Sequence, residues 1–291
     1  MVKADRKEDL MKRAAIWAAV AAAWAMALGG GPAAPGADAA PRKIVFLWSK
    51  GHHPNEPSSI LFKHCLENAE NLKGIACEVH ETWPADPKTL EDAAAIVIYS
   101  EGNNKVGVPH PVLTAEHIPV LDRLAAKGAG IVLIHYALYG SREVEAPKQL
   151  AWCGAYYDFQ GYGSKHGVSK KPLVCTPAAG DHPILRGWKE FTLAENEMYH
   201  KLKFTEDPKP TAILTCNLSG GPQVVAWALE RKDGGRGFGF GDGHFYSAWL
   251  LDDCRTMILN GIVWAARMEV PPEGVKTTVP EALKTPKGGK H

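Results

Sequence analysis

The chain has 291 residues, 45% hydrophobic and 22% charged, with 33 basic against 32 acidic side chains. That is the composition of an ordinary globular protein, and a formal charge of +1 leaves no broad field to gather nucleic acid or anionic lipid. Glycine (29) and proline (21) are too many for a plain helical bundle and too few for low-complexity disorder, so helices, strands and many turns are expected.

Residues 1–40 read as an export signal. Lys12 and Arg13 precede an apolar run, Ala14 to Leu28, which is followed by Gly29-Gly30-Gly31-Pro32 and then by Ala37-Asp38-Ala39-Ala40. This is a basic n-region, an h-region too short and too rich in alanine for a usual membrane span, and an A-x-A cleavage site. Cleavage after Ala39 or Ala40 gives a periplasmic or secreted protein, and membrane attachment is expected only if the signal stays uncleaved as an anchor. ATP and NAD(P)H are scarce there, so no nucleotide cofactor is expected. Cys65, Cys77, Cys153, Cys175, Cys216 and Cys254 contain no C-x-x-C pair. Their even number permits disulfides after export, although a core of this size does not need them.

Lys43–Trp48 is a short continuous apolar run, followed by a turn-rich loop from Ser49 to Pro57. Leu61, Cys65, Ala69 and Leu72 then recur at helical spacing, and Ile75–His80 and Ala95–Tyr99 read as strands. Ile118, Leu121 and Ala125 mark a second helix, stopped by Gly128, with Ile131–Ile134 as a fourth strand. Apolar strands alternating with helices predict an α/β fold, a doubly wound flavodoxin-like sheet with helices on both faces. Extra short strands are expected in the C-terminal half: Leu173–Cys175, Phe191–Tyr199, Ala212–Leu214, Val224–Leu229 and Arg236–Asp242. Asp252-Asp253 is placed to cap a last helix carrying Met257, Ile258 and Ile262. One domain over residues 41–271 and an extended or disordered tail over 272–291 complete the expected organisation.

Ligands of open α/β sheets bind beyond the carboxyl ends of the strands. Three places qualify: Gly51-His52-His53, Ser100-Glu101-Gly102-Asn103-Asn104, and His135-Tyr136 directly after the fourth strand, where nucleophile-elbow enzymes carry Ser or Cys. Each also has a plain reading, as a solvated turn or a hydrogen-bonded core histidine. Period-two alternation predicts that Phe191, Leu193, Glu195, Glu197 and Tyr199 share one strand face, with two carboxylates about 7 Å apart. From 235 to 243 every odd residue is glycine, a bare face suited to close packing, while Arg236, Phe238, Phe240, Asp242 and His244 face the other way.

In their order and spacing these segments resemble the ThuA-like (trehalose-utilisation) family over residues 42–270. The carriers are Lys43–Trp48 with Gly51-His52-His53, Ile96–Ser100, Gly130–Ala137, Asp181-His182-Pro183-Ile184, Glu195–Tyr199, and Gly234–Phe240 with Gly243-His244. The resemblance implies the fold of class I glutamine amidotransferases. Those enzymes need a cysteine at the elbow and a late His-x-Glu pair; here the elbow is His135 and His244 is followed by Phe245-Tyr246, which argues against a glutaminase. The family pattern also has Asp-Glu where this chain has Asn196-Glu197, so only Glu197 carries over.

Two readings of function follow. In the first, an exported enzyme acts on a small carbohydrate, a keto-disaccharide or glycoside, by acid/base or metal-assisted hydrolysis or elimination. His135, His244 and Glu197 are its catalytic groups, and His53, Glu101, Tyr136, Tyr199 and Asp242 its substrate contacts. His53, His135, Glu197 and His244 together suit a divalent Zn, Mn or Fe ion, although the spacing does not demand one. In the second, the chain is a non-catalytic sugar-binding module, with Trp48, Tyr136, Tyr156, Tyr157, Phe245, Tyr246 and Trp249 available for stacking or for core packing. The number of copies in the assembly is left open, a homo-oligomer included.

Overall fold

The computed structural model describes residues 40–285 except 103, 104, 106, 107 and 162. The expected signal segment up to residue 39, Asn103-Asn104 and the last six residues lie outside that set.

Eleven strands are present among the described residues: β1 (Arg42–Trp48), β2 (Ile75–Glu81), β3 (Ala93–Tyr99), β4 (Gly130–Ile134), β5 (Ala155–Tyr156), β6 (Leu173–Pro177), β7 (Phe191–Leu193), β8 (Lys203–Phe204), β9 (Thr211–Leu218), β10 (Gly221–Glu230) and β11 (Arg236–Phe240). Nine of them form one sheet in the order β2-β1-β3-β4-β11-β10-β9-β6-β7, and β5 pairs with β8 apart from it. The first five run parallel and the rest antiparallel. The parallel half has the flavodoxin-like order, with neighbours added on both sides of β1, and the expected extra strands extend the same sheet.

The alternation of side chains sorts the core onto two faces. Ile44 and Phe46 of β1, Val97 and Tyr99 of β3, and Phe238 and Phe240 of β11 pack with helices α1 (Asn55–Glu67) and α4 (Asp252–Ala265). Val45, Leu47, Ile96, Ile98, Ile131 and Leu133 pack on the opposite face with α2 (Ile118–Ala126) and α3 (Glu145–Cys153). The bare face of β11 behaves as its glycines require. A methyl group on Gly237 would overlap the Trp152 carbonyl of α3, and one on Gly239 would overlap the Trp227 ring. This close approach sets β11 beside β4 with its carboxyl end next to that of β4.

Three expectations are corrected. The strand from Phe191 stops at Leu193, so Glu195 and Glu197 share no strand face: Glu195 lies at the surface near Lys170, whereas Glu197 turns inward. Asp252 and Asp253 occupy the first turn of α4 without capping it; Asp252 pairs with Arg255, and Asp253 accepts the Lys189 amide. As far as residue 285, the chain beyond Pro271 is no free tail. Val275 is completely buried, its amide donates to Asn260 of α4, and Asn71 bonds both Gly274 and Lys276; with Val279 and Leu283 also packed on the core, these contacts hold a strap that ends in α5 (Glu281–Lys284). All six cysteines are free and buried, and burial pushes the Cys153 thiol up to about 12, the opposite of what a nucleophile needs.

Candidate metal centre

The turn after β1 brings His53 to the sheet's carboxyl edge, and Glu101, the second residue beyond β3, folds beneath it. The Glu101 carboxylate accepts from the His52 and His53 amides, from Asn55 and from His53 Nδ1, the last at 2.8 Å. Gly51 is required there, because a Cβ would overlap the Glu101 side chain. A carboxylate has no proton to give near neutral pH, so His53 carries its hydrogen on Nδ1 and turns Nε2 toward the interior.

His135 begins a 3-10 turn (His135–Leu138) immediately after β4 and has φ 53°, in the left-handed region. For a non-glycine residue this costs about 1–3 kcal/mol, which surrounding contacts must offset. The contacts are the Gly241 carbonyl, 3.2 Å from Nδ1, and the Tyr199 ring, stacked at 4.3 Å between centroids. A carbonyl can only accept, so His135 also carries its hydrogen on Nδ1. Its Nε2 has no hydrogen-bond partner among the described residues.

Glu197 and His244 complete the cluster. Glu197 Oε2 lies 2.7 Å from His244 Nδ1, 3.4 Å from His135 Nε2 and 3.9 Å from His53 Nε2. One donor atom from each of the four residues falls within 4.8 Å of all the others. Two imidazole lone pairs thus point at a carboxylate oxygen, an arrangement that repels unless a cation lies between them. A proton can serve, and so can a metal ion held at bond lengths of about 2.0–2.2 Å. The electrostatics record the same demand. Burial alone would lower His53, but the Glu101 and Glu197 carboxylates outweigh it and raise it to about 9. Burial would raise Glu197, but the His135, His244 and His53 imidazoles around it hold it far below the carboxylate range. His135, fully buried, is pulled down by desolvation against the opposing pull of Glu197.

The other expected contacts take different places. Glu101 supports His53 and is spent on that task. Asp242 is buried, and its Oδ1 accepts the amides of Gly243, Glu197 and His244, so it ties together the backbone of two cluster residues instead of facing a substrate. Tyr199 is buried behind His135. Tyr136 is half-buried with its ring edge-on to His53 at 5.3 Å, so it remains beside the cluster. His182 packs on Trp264 and caps a turn, a structural task.

Residues 44–265 match the ThuA family, described as trehalose utilisation. The chain belongs to the ThuA family. ThuA-like proteins of known structure resemble it in fold. One from Parabacteroides merdae ATCC 43184 is 17% identical, with TM-score 0.56, over 83% of this chain and 94% of its own. Another from Bacteroides uniformis ATCC 8492 is 14% identical, with TM-score 0.55, over 81% and 95%. A glutamine amidotransferase from Thermotoga maritima aligns less well, at TM-score 0.40 and 10% identity over 78% and 96%. No curated protein sequence is a significant match. In this ThuA chain the strained turn after β4 holds an imidazole where acyl-transfer enzymes need a thiolate or hydroxyl.

Sequence reasoning missed His166, whose Nδ1 lies 3.7 Å from Glu197 Oε1 and 3.2 Å from the Tyr139 hydroxyl. The signal available was a histidine among Gly161, Gly163 and Gly167, a stretch with no apolar period to explain it. It also missed Tyr139, which stacks at 4.0 Å on Tyr157, an aromatic the sequence reading did single out, beside this histidine.

Proposed function

We propose that this chain is an exported, metal-dependent ThuA enzyme acting on a small carbohydrate, a keto-disaccharide or glycoside, by hydrolysis or elimination. The observation that carries the reading is the convergence of His53, His135, His244 and Glu197, with Nε2 of His53 and of His135 turned inward by the partners of their Nδ1. Three imidazoles and a carboxylate suit Zn, Mn or Fe. A divalent ion bound there supplies Lewis acidity, polarising a substrate oxygen or acidifying a water. The residues of the chain prepare that position. Glu101 and the Gly241 carbonyl fix the tautomers of His53 and His135, and Tyr199 shields His135 from water. Glu197, held ionised by its imidazoles, acts as a standing charge and ligand. The carbohydrate class rests on the family's description as trehalose utilisation.

Burial weighs against the sugar-binding module. Trp48, Tyr156, Tyr157, Phe245, Tyr246 and Trp249 are all buried, which leaves Tyr136 as the half-exposed ring of that set. The test is turnover of keto-disaccharides and glycosides by the purified protein before and after chelation, with Zn, Mn or Fe added back. Turnover lost on chelation and restored by one of these ions is the expected result. Sugar binding without turnover under every metal condition would contradict it.

A further inference from the structure

Glu197 presents its two oxygens to different neighbours. Oε2 faces His53, His135 and His244, whereas Oε1 faces His166. The four imidazoles differ in their access to water. The side chains of His135, His53 and His244 are 0%, 8% and 13% exposed, and that of His166 is 38% exposed. A wet imidazole beside a carboxylate whose other oxygen is enclosed marks the side from which a solute reaches the centre.

The position of His166 is fixed on both flanks. Lys165 and His200 exchange two backbone hydrogen bonds of 2.9 Å, and Ser169 and Asn196 exchange two of 2.8 and 2.9 Å. Residues 165–169 therefore lie antiparallel along residues 196–200, with Glu197 between the two clamps. The Tyr139 hydroxyl engages Nδ1 at 3.2 Å, which turns Nε2 to the opposite edge of the ring. The Tyr157 and Tyr199 rings limit its swing, at 5.5 and 5.6 Å between centroids. An exposed histidine kept in place by a tyrosine and by paired backbone on each side is built to meet something.

We infer that His166 is a further binding residue of this centre, which hydrogen-bonds a hydroxyl or carbonyl oxygen of a small ligand bound at the His53–His135–Glu197–His244 cluster. It is not one of the ion's holders, because its ring nitrogens fall outside the group whose donor atoms converge. The inference rests on the metal-centre reading and adds the contact by which an oxygen-rich ligand is recognised.

The test uses the full chain loaded with Co2+, whose visible absorption reports the inner ligands, and acetohydroxamate as the probe ligand. The unaltered protein is compared with His166→Ala and His166→Gln. Co2+ affinity and the absorption of the probe-free protein should stay within about two-fold of the unaltered protein in both variants. The acetohydroxamate dissociation constant should rise about ten-fold in His166→Ala, the worth of one ordinary hydrogen bond, and recover partly in His166→Gln. Equal acetohydroxamate affinity in the unaltered protein and His166→Ala would overturn the inference, as would absence of probe binding to the unaltered cobalt protein. A parallel loss of Co2+ affinity in His166→Ala would overturn it in another way, by making His166 part of the ion-holding set. If the unaltered protein takes up no Co2+ at all, it is the metal reading itself that fails, and this inference with it.

Discussion

The two halves of the sheet contribute to the centre in different ways. The parallel half delivers three imidazoles from strand ends: His53 after β1, His135 after β4 and His244 after β11. The antiparallel half delivers the carboxylate from irregular chain, because β7 ends at Leu193 and Glu197 follows it. In the parallel half a crossover returns each strand to the same edge, so position along the chain sets position in the site. Elsewhere the site residue depends on partners far away in sequence: Asn196 and His200 bond the 165–169 segment, and the Tyr199 amide bonds the Gly241 carbonyl.

The largest expected effect comes from the parallel half. His135→Ala should weaken metal binding by more than about 100-fold, measured by competition with a chromophoric chelator, since losing a ligand costs more than the 10–100-fold typical of a supporting residue. Glu101→Ala comes next. It removes the acceptor that orients His53 and should cost about 10–100-fold in metal affinity. If Glu101→Ala matched the unaltered protein, the claim that strand-end neighbours prepare the imidazoles would break.

Gly237→Ala probes the seam between β11 and α3. Its methyl meets a backbone carbonyl that cannot rotate away, so a loss of about 1–3 kcal/mol in thermal unfolding is expected. A smaller effect follows from His53. Its value in the metal-free protein, about 9, lies above the ordinary 6.5 expected in the unfolded chain. The stability it contributes is therefore complete below about pH 6.5 and lost as pH rises through about 9. His135, lowered by burial, acts in the opposite sense, below about pH 6.5. Chelated protein should thus lose thermal stability between about pH 7 and 10, while the metal-loaded protein, with His53 coordinated, should lose less. Glu195→Gln should change neither metal affinity nor stability by more than about 0.5 kcal/mol, since the ion pair of Glu195 is with an exposed lysine; a large effect would restore the paired-carboxylate reading.

Much of the parallel half was legible in the sequence. Ile44–Trp48, Ile96–Tyr99 and Ile131–Ile134 are apolar on both faces because helices cover both, and each run is followed by a loop or turn that carries a site residue. The glycine alternation of β11 likewise announced close packing. Glu197 was legible as a residue but not in its setting, because the period of two from Phe191 to Tyr199 describes a strand that the chain abandons after Leu193 in favour of contacts with β11 and the 165–169 segment. Asp242 alternates with Phe238 and Phe240 as expected, yet its carboxylate is spent on backbone amides, an outcome that side-chain periodicity cannot reveal. The strap after Pro271 escaped notice because its apolar contacts, Val275, Val279 and Leu283, follow neither a strand nor a surface-helix period, and much of its hold is hydrogen bonds to Asn71 and Asn260.

The central claim is that the four converging side chains hold one divalent ion. Elemental analysis of chelated protein reloaded with Zn, Mn or Fe and passed through a desalting column tests it most directly. One ion per chain in the unaltered protein, and close to none in a His135→Ala, Glu197→Ala double variant that remains folded, is the result this account predicts. No retained ion in the unaltered protein, or full retention in the double variant, would contradict it.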